Sequence, residues 1–502
     1  ADGAYTFHVN FQDLAGNRAD YDRTDIFVID RTPPELTVAW DNTDVQNGFY
    51  YKEARTARLT IREKNFDEKA IQIRTLVEEE GEEPDLSAWS HNGEMHTARL
   101  HFQKDGAYAF RVTGRDLADN ELPLWESERF VLDQTPPELT IFDILDHSAN
   151  NGAVRPGIRS MDRYYDPEGE SITLTGYHNG DIKLAGKLSR SENGMEYKLD
   201  DIPMEQKWDD MYTLKAVAAD LAGNRKEETV TFSVNRCGSV YTLGEATEGL
   251  AGEQGSYYTR EEPELVILET NVDTLTLREI TSSHDGELKS LKEGTDYQVS
   301  RSMETGWQQY TYRIAKENFT GEGVYAVTLY SEDRASNVSD NRSKGKRLEF
   351  AVDKTPPVIL VSGVEENGRY QESHRTVLLD VQDNLGMREL QVGQAGIVHV
   401  YTAEELREND GRMELTLNSA DDWQELTVQA VDLAGNQAEI TPIRFLLTPD
   451  SRIQAEQSKK PQMAVRTGDS GLTILLFGGM IAAVLIGIRR RRKKIRIREN
   501  NS

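Results

Sequence analysis

Apolar residues alternate with polar ones in short runs along most of the chain. Tyr5, Phe7, Val9 and Phe11 stand at every second position, as do Tyr108, Phe110 and Val112. So do Tyr212, Leu214, Ala216 and Ala218; Tyr325, Val327 and Leu329; and Leu426, Val428 and Ala430. A period of two turns one face of a strand inward and the other to water, so each run predicts a β-strand. Every run ends at a similar polar segment: Asp13-Leu-Ala-Gly-Asn17, Asp116-Leu-Ala-Asp-Asn120, Asp220-Leu-Ala-Gly-Asn224, Asp333-Arg-Ala-Ser-Asn337 and Asp432-Leu-Ala-Gly-Asn436. Alternation then resumes, as in Val230, Phe232 and Val234 or Leu348, Phe350 and Val352, so strand, turn and strand predict a hairpin.

The turn residues suit that role. An Asp carboxylate accepts a hydrogen bond from a backbone N–H two residues on. Gly16, Gly223 and Gly435 can take positive φ without a Cβ clash, and Asn tolerates it better than most residues. Ser336 stands where the others have Gly or Asp, which predicts a turn of different build there. The leading Asp residues are 103, 104, 113 and 99 positions apart, too long for a solenoid and right for one small all-β domain per repeat. Asp30-Arg-Thr-Pro-Pro34, Asp133-Gln-Thr-Pro-Pro137 and Asp353-Lys-Thr-Pro-Pro357 recur between units. Proline cannot donate to a ladder and drives the residue before it to extended geometry, so these segments predict short, stiff junctions at the start of a strand.

With these features the chain resembles the bacterial immunoglobulin-like repeats of cell-surface proteins, over residues 1 to about 450. The segment Asp105-Gly-Ala-Tyr108 is similar to the penultimate strand of an immunoglobulin fold, where a corner Tyr is followed two positions later by a core residue. That residue is Cys in antibody domains and is Phe7, Phe110, Leu214 or Val327 here, while the fifth copy has Gln424 in place of the Tyr. The resemblance implies an all-β fold of tandem immunoglobulin-like β-sandwiches. The expected organisation is the last strands of a repeat at 1–32, repeats at 33–135, 136–236, 237–355 and 356–449, and a polar spacer at 450–469. The longest repeat is expected to hold its extra length in loops such as Gly252-Glu-Gln-Gly-Ser256. Because the chain opens inside a repeat, a further region is expected upstream of Ala1.

Composition changes the picture only at the C-terminus. Residues 470–488 carry no Lys, Arg or Glu and would span about 28 Å as a helix, enough to cross a bilayer core. The tail 489–502 holds eight basic residues and one acid, a net +7 that leaves −35 for the rest of a chain whose total is −28. Positive residues stay on the cytoplasmic side, so a single transmembrane helix is expected with the repeats outside. An exterior this acidic excludes a nucleic-acid-binding face. Ala464-Val-Arg-Thr-Gly468 before the span resembles a Gram-positive wall-sorting motif, with Thr467-Gly468 as the bond a sortase would cut and Ala464 and Val465 where Leu and Pro belong. That resemblance implies peptidoglycan as a covalent partner.

Candidate chemistry is sparse. Gly468-Asp-Ser-Gly471 lacks the His and Asp context of a serine protease. His91, His96 and His101 are five apart, which on one strand places neighbours on opposite faces, so they are expected as separate surface residues. The single Cys237 excludes a disulfide within this chain and is expected as a small core residue. Asp30, Asp133 and Asp353 lie at the junctions, where acidic oxygens could converge on a hard cation such as calcium. No Asp-x-Asp-x-Asp-Gly loop accompanies them and turn capping accounts for the same residues, so no cofactor is expected. The paired Tyr50-Tyr51, Tyr164-Tyr165 and Tyr257-Tyr258 are expected to turn one ring outward each, a surface that could meet sugar. These expectations describe a non-enzymatic, surface-anchored stalk. The alternatives are an adhesin whose repeats bind host glycan or matrix protein, and accessory modules of a hydrolase whose catalytic domain lies upstream.

Overall fold

The computed structural model describes residues 1–21, 25–78, 81–251, 257–304, 306–450 and 466–467. The chain divides into two compact units, Ala1–Val234 and Asn235–Ser502. Strands dominate both, and the α-helices among the described residues are the short Glu245–Glu248 and Ala403–Glu408.

In the first unit, Arg55–Arg62 lies between Glu35–Trp40 and Met95–Phe102 in one antiparallel sheet. The facing sheet is built on Gly106–Arg115, which pairs with Gln72–Glu78 on one edge and with Glu121–Glu126 and Phe130–Leu132 on the other. Inward residues of the two sheets, among them Leu59, Ile61, Phe102, Tyr108, Phe110 and Phe130, enclose one core. The next sandwich repeats this plan. Gly157–Met161 lies between Glu138–Phe142 and Gly194–Leu199, while Asp210–Ala219 lies between Ser171–Gly176 and Arg225–Val234. Its core is centred on Ile158, Tyr212, Leu214 and Phe232. Full burial of each such side chain is worth roughly 1.5–3 kcal/mol.

The second unit holds two more sandwiches. One is built on Leu265–Asn271 and Gly323–Asp333, the other on His374–Gln382 and Gln424–Asp432. Their cores contain Ile267, Tyr312 and Phe350, and Val377, Val428 and Phe445, respectively. In all four sandwiches a short strand leaves the first sheet and runs parallel to the last strand of the second: Tyr50–Tyr51, Ala149–Asn150, Tyr257–Thr259 and Gly368–Tyr370. The chain is thus a tandem array of immunoglobulin-like sandwiches.

Residues 1–32 form two two-stranded ladders, Gly3–Thr6 with Ile26–Ile29 and Val9–Gln12 with Arg18–Tyr21. Phe7, Phe11 and Ile26 are exposed there. Among the described residues, the predicted hairpin is one unbroken ladder only in Asp210–Ala219 with Arg225–Val234. Elsewhere the returning strand is cut in two, as in Glu121–Glu126 and Phe130–Leu132, and the Ser127 N–H bonds the Phe110 carbonyl across the gap. The loop Gly252–Ser256, most of the spacer 450–469, the apolar span 470–488 and the tail 489–502 lie outside the described residues. Among the described residues, no helix is long and apolar enough to cross a membrane.

Three expectations are corrected. Ser336 takes φ +68° and its turn closes like the others, with Asp333 N–H on the Asn337 carbonyl and Ser336 N–H on the Asp333 carbonyl. Cys237 lies half-exposed in a bend rather than in a core. His91 and His96 are not on one strand: a turn at Gly93 folds them into cross-strand partners with Nδ1 atoms 2.8 Å apart. His96 is buried, stacked on Phe66, and its Nε2 donates to the Glu63 carbonyl at 2.7 Å.

Candidate functional site

The recurring turn is a small hydrogen-bonded knot. Its Asp Oδ1 accepts from the backbone N–H of the Asn four residues on, at 2.8 Å in Asp13–Asn17, 3.0 Å in Asp116–Asn120, 2.9 Å in Asp220–Asn224 and Asp333–Asn337, and 2.8 Å in Asp432–Asn436. The Asn Nδ2 donates back to the same carboxylate, as from Asn436 to Asp432 Oδ2 at 2.7 Å. Gly16, Gly223 and Gly435 hold φ near +90°, as required of the position before the Asn.

In the four complete sandwiches the same Asn Nδ2 also reaches outward. It donates to the carbonyl of the residue that opens the preceding linker: Asn120 to Asp30 at 3.3 Å, Asn224 to Asp133 at 2.9 Å, Asn337 to Asn235 at 2.6 Å and Asn436 to Asp353 at 2.9 Å. The turn of each sandwich therefore grips the linker that leads into it. The linker is also held from behind. Thr32 Oγ1 donates to Asp2, Thr135 Oγ1 to Asp105 at 2.6 Å and Thr355 Oγ1 to Glu322 at 2.8 Å, each acceptor standing just ahead of the corner-Tyr strand. The corner Tyr hydroxyls of Tyr5, Tyr108, Tyr212 and Tyr325 each donate to the carbonyl four residues back. Gln424, at this position in the last sandwich, donates instead to the Asn418 carbonyl at 3.0 Å.

At three junctions the grip gathers acids. Carboxylate oxygens of Asp30, Glu63 and Asp116, of Asp133, Asp162 and Asp220, and of Asp353, Asp383 and Asp432 lie within 4.8 Å of one another in each set. Burial penalises the charged forms. Asp133 is pushed up to about 7 by burial and then by the charges of Asp220 and Asp162. Asp353 is pushed up to about 7 by burial and then by Asp383 and Asp432. Burial also raises Glu63, Asp162, Asp220 and Asp432. Asp133 Oδ1 accepts from the Thr135 N–H, and its buried Oδ2 has no hydrogen-bond partner. Asp353 repeats this, with Oδ1 on the Thr355 N–H and Oδ2 buried and unpartnered. At the first junction Asn65 Nδ2 donates to Asp30 Oδ2.

The linker residue 235 meets the sandwich that follows it with other chemistry. Asn235 stands where the other linkers have Asp, and its Nδ2 donates to Asn271 Oδ1 at 2.8 Å, Asp273 Oδ2 at 3.1 Å and Asp333 Oδ2 at 2.9 Å. Arg334 Nε lies 3.8 Å from Asp273.

Sequence reading singled out the linker and turn acids but not the middle member of each set. Glu63, Asp162, Asp273 and Asp383 carry a signal all the same: each continues the inward register of its strand, after Leu59 and Ile61, Ile158 and Ser160, Glu269 and Asn271, or Leu379 and Val381. An acid where the next core residue should stand marks the end of a sandwich that closes on something polar. Of the paired tyrosines, Tyr51 and Tyr165 are buried, while Tyr50 and Tyr164 pack on each other between successive sandwiches at 5.3 Å between centroids. Tyr257 is exposed. The backbone of Thr467 pairs with Ala438, and Gly468 and the Gly468–Gly471 segment lie outside the described residues.

No curated protein matches the chain. Among solved structures, a tetra-tandem repeat from the extending region of a large adhesion protein is similar at 14% identity and a TM-score of 0.32, covering 83% of this chain and 99% of that one. Invasin, a bacterial integrin-binding protein, is similar at 11% identity and a TM-score of 0.34, covering 82% and 79%. Titin domains A168–A170 are similar at 12% identity and a TM-score of 0.28, covering 62% and 97%. At the level of families, residues 95–236, which include the junction of Asp133, Asp162 and Asp220, match the bacterial Ig-like domain (group 3).

Proposed function

We propose that this chain is a cell-surface stalk that holds an attached region away from the bacterial envelope by mechanical spacing, without catalysis of its own. The observation that supports it is the double hold on each Thr-Pro-Pro linker. Thr32, Thr135 and Thr355 tie the linker to the sandwich behind, and Asn120, Asn224 and Asn436 tie it to the sandwich ahead. A linker fixed by proline and by bonds on both sides transmits position, whereas a flexible one loses it. In this reading the apolar stretch 470–488 spans the membrane, the basic tail 489–502 stays inside, and the acidic repeats stand outside, soluble and mutually repelling. Sortase attachment at Thr467-Gly468 would transfer the stalk from membrane to wall.

The test is a length change in cells. Excising residues 34–136 joins Pro33 to Pro137 and preserves the Asp-x-Thr-Pro-Pro sequence while removing one repeat. A label at the N-terminus should then move toward the envelope by roughly 30–40 Å, the rise of a ten-residue strand plus its turns. An unchanged label distance would refute spacing as the function.

A further inference from the structure

The acid sets at Asp133 and Asp353 leave a specific deficit. Each brings three carboxylates together where water is largely excluded, and each leaves one buried oxygen, Asp133 Oδ2 or Asp353 Oδ2, with no donor. At the Asp353 junction a further buried oxygen, Asn384 Oδ1, also has none, while the Asn384 amide nitrogen donates to Glu322 Oε2 at 3.3 Å. A buried acceptor without a donor costs about 1–3 kcal/mol, and more when charged. Like charges in such a site either share protons or attract a cation.

Junction 235 shows how the same architecture is satisfied without an ion. There the linker residue is Asn235, and one amide nitrogen donates to Asn271, Asp273 and Asp333 together. The positive end of an amide occupies the point on which the oxygens converge. At the first junction Asn65 supplies a donor to Asp30, so that set also has a local partner. The Asp133 and Asp353 junctions keep an Asp at the linker position and use its second oxygen for nothing in the chain.

We propose that Asp133, Asp162 and Asp220 bind one calcium-like divalent cation, that Asp353, Asp383 and Asp432 bind another, and that the Asn235 amide replaces the ion at the junction between them in sequence. Ligand type and size agree. All donors are hard oxygens, and a spread within 4.8 Å is that of oxygens on opposite sides of an ion bound at about 2.4 Å. The ion would join three parts of each junction that the hydrogen bonds already assemble: the linker, the end of an early strand and the turn. The proposal goes beyond the stalk reading and does not depend on it, since ion binding is measured on the purified chain whatever its place in the cell.

The experiment is calcium titration of the 502-residue chain in detergent after EDTA treatment, with bound ions counted by native mass spectrometry and terbium luminescence as the optical readout. The expected count is two. Asp133→Asn and Asp353→Asn should each lower it by one, and the double variant should bind none. These variants carry the residue that junction 235 already uses, so folding is expected to survive, and circular dichroism checks it. Asn235→Asp should raise the count to three. A wild-type chain that binds no calcium at millimolar concentration overturns the proposal. So does a count that the double variant leaves at two, which would place the ions on surface carboxylates.

Discussion

Glu269 is fully buried, with Tyr241 donating to Oε1 at 2.8 Å, Tyr312 donating to Oε2 at 3.1 Å and Ser331 also bonded to Oε1. A carboxylate in a β-sandwich core is tolerable because each oxygen has its donor. Burial, and then the Glu269 charge, push both phenols well above their ordinary value. Raised phenol values mean that the folded state resists losing these protons. Their contribution is therefore fully present below the ordinary tyrosine pKa of about 10 and is lost as pH rises above it, when the unfolded chain ionises first. Calorimetry between about pH 9 and about pH 11 should show the transition of this sandwich falling more steeply than that of the sandwich at 356–449, which has no counterpart of this network among its described residues. Tyr312→Phe should lower stability at neutral pH by about 1–3 kcal/mol and flatten the alkaline slope. An unchanged slope would mean that the network does not set it. Nothing in the sequence pairs Tyr241, Glu269, Tyr312 and Ser331: the bonded pairs lie 28 to 90 positions apart, and only strand order across the sandwich brings them together.

Among the elements, the turn after each corner-Tyr strand is the one whose form was plainest in the sequence. Asp and Asn four apart around a small residue define it, and the structure shows why both are needed: the carboxylate binds the Asn backbone while the Asn amide binds the carboxylate and the linker. Ser336 misled because residue type suggested a new turn, whereas the surrounding bonds force the old one and leave Ser336 at φ +68°. A side chain in that region costs about 1–2 kcal/mol, less what glycine loses in chain entropy. Ser336→Gly should thus raise the stability of its sandwich by up to about 1 kcal/mol, read as the free-energy change in urea titration followed by a probe within residues 240–352. A loss of stability would show that the Ser336 hydroxyl contributes more than the strain removes. The histidines show the opposite error. A spacing of five says nothing until the chain reversal at Gly93 is known, and that reversal turns His91 and His96 into facing partners.

On the scale of the whole molecule, the strand period, the repeat interval and the proline punctuation carried the all-β, tandem-sandwich architecture, because each is a local property repeated several times. The junction chemistry was only half visible. Asp133 and Asp353 could be seen at the linkers, but their partners Asp162, Asp220, Asp383 and Asp432 come from later in the chain and are joined by closure of the sandwich that follows. The proposed C-terminal anchor rests on composition alone, and it has a direct test. A chain ending at Asp469 should leave the membrane fraction for the supernatant after an alkaline wash, while the full chain should stay with the membrane. Release of the full chain would remove the anchor from the stalk.

The Asn that seals each junction lies 83 to 102 positions beyond the carbonyl it holds. A hinge made this way cannot lock when it is synthesised. It stays slack until nearly one more module has emerged and folded, and only then sets. A chain exported N-terminus first would pass through the envelope with its newest joint always loose, hardening one segment behind the exit as each later module arrives.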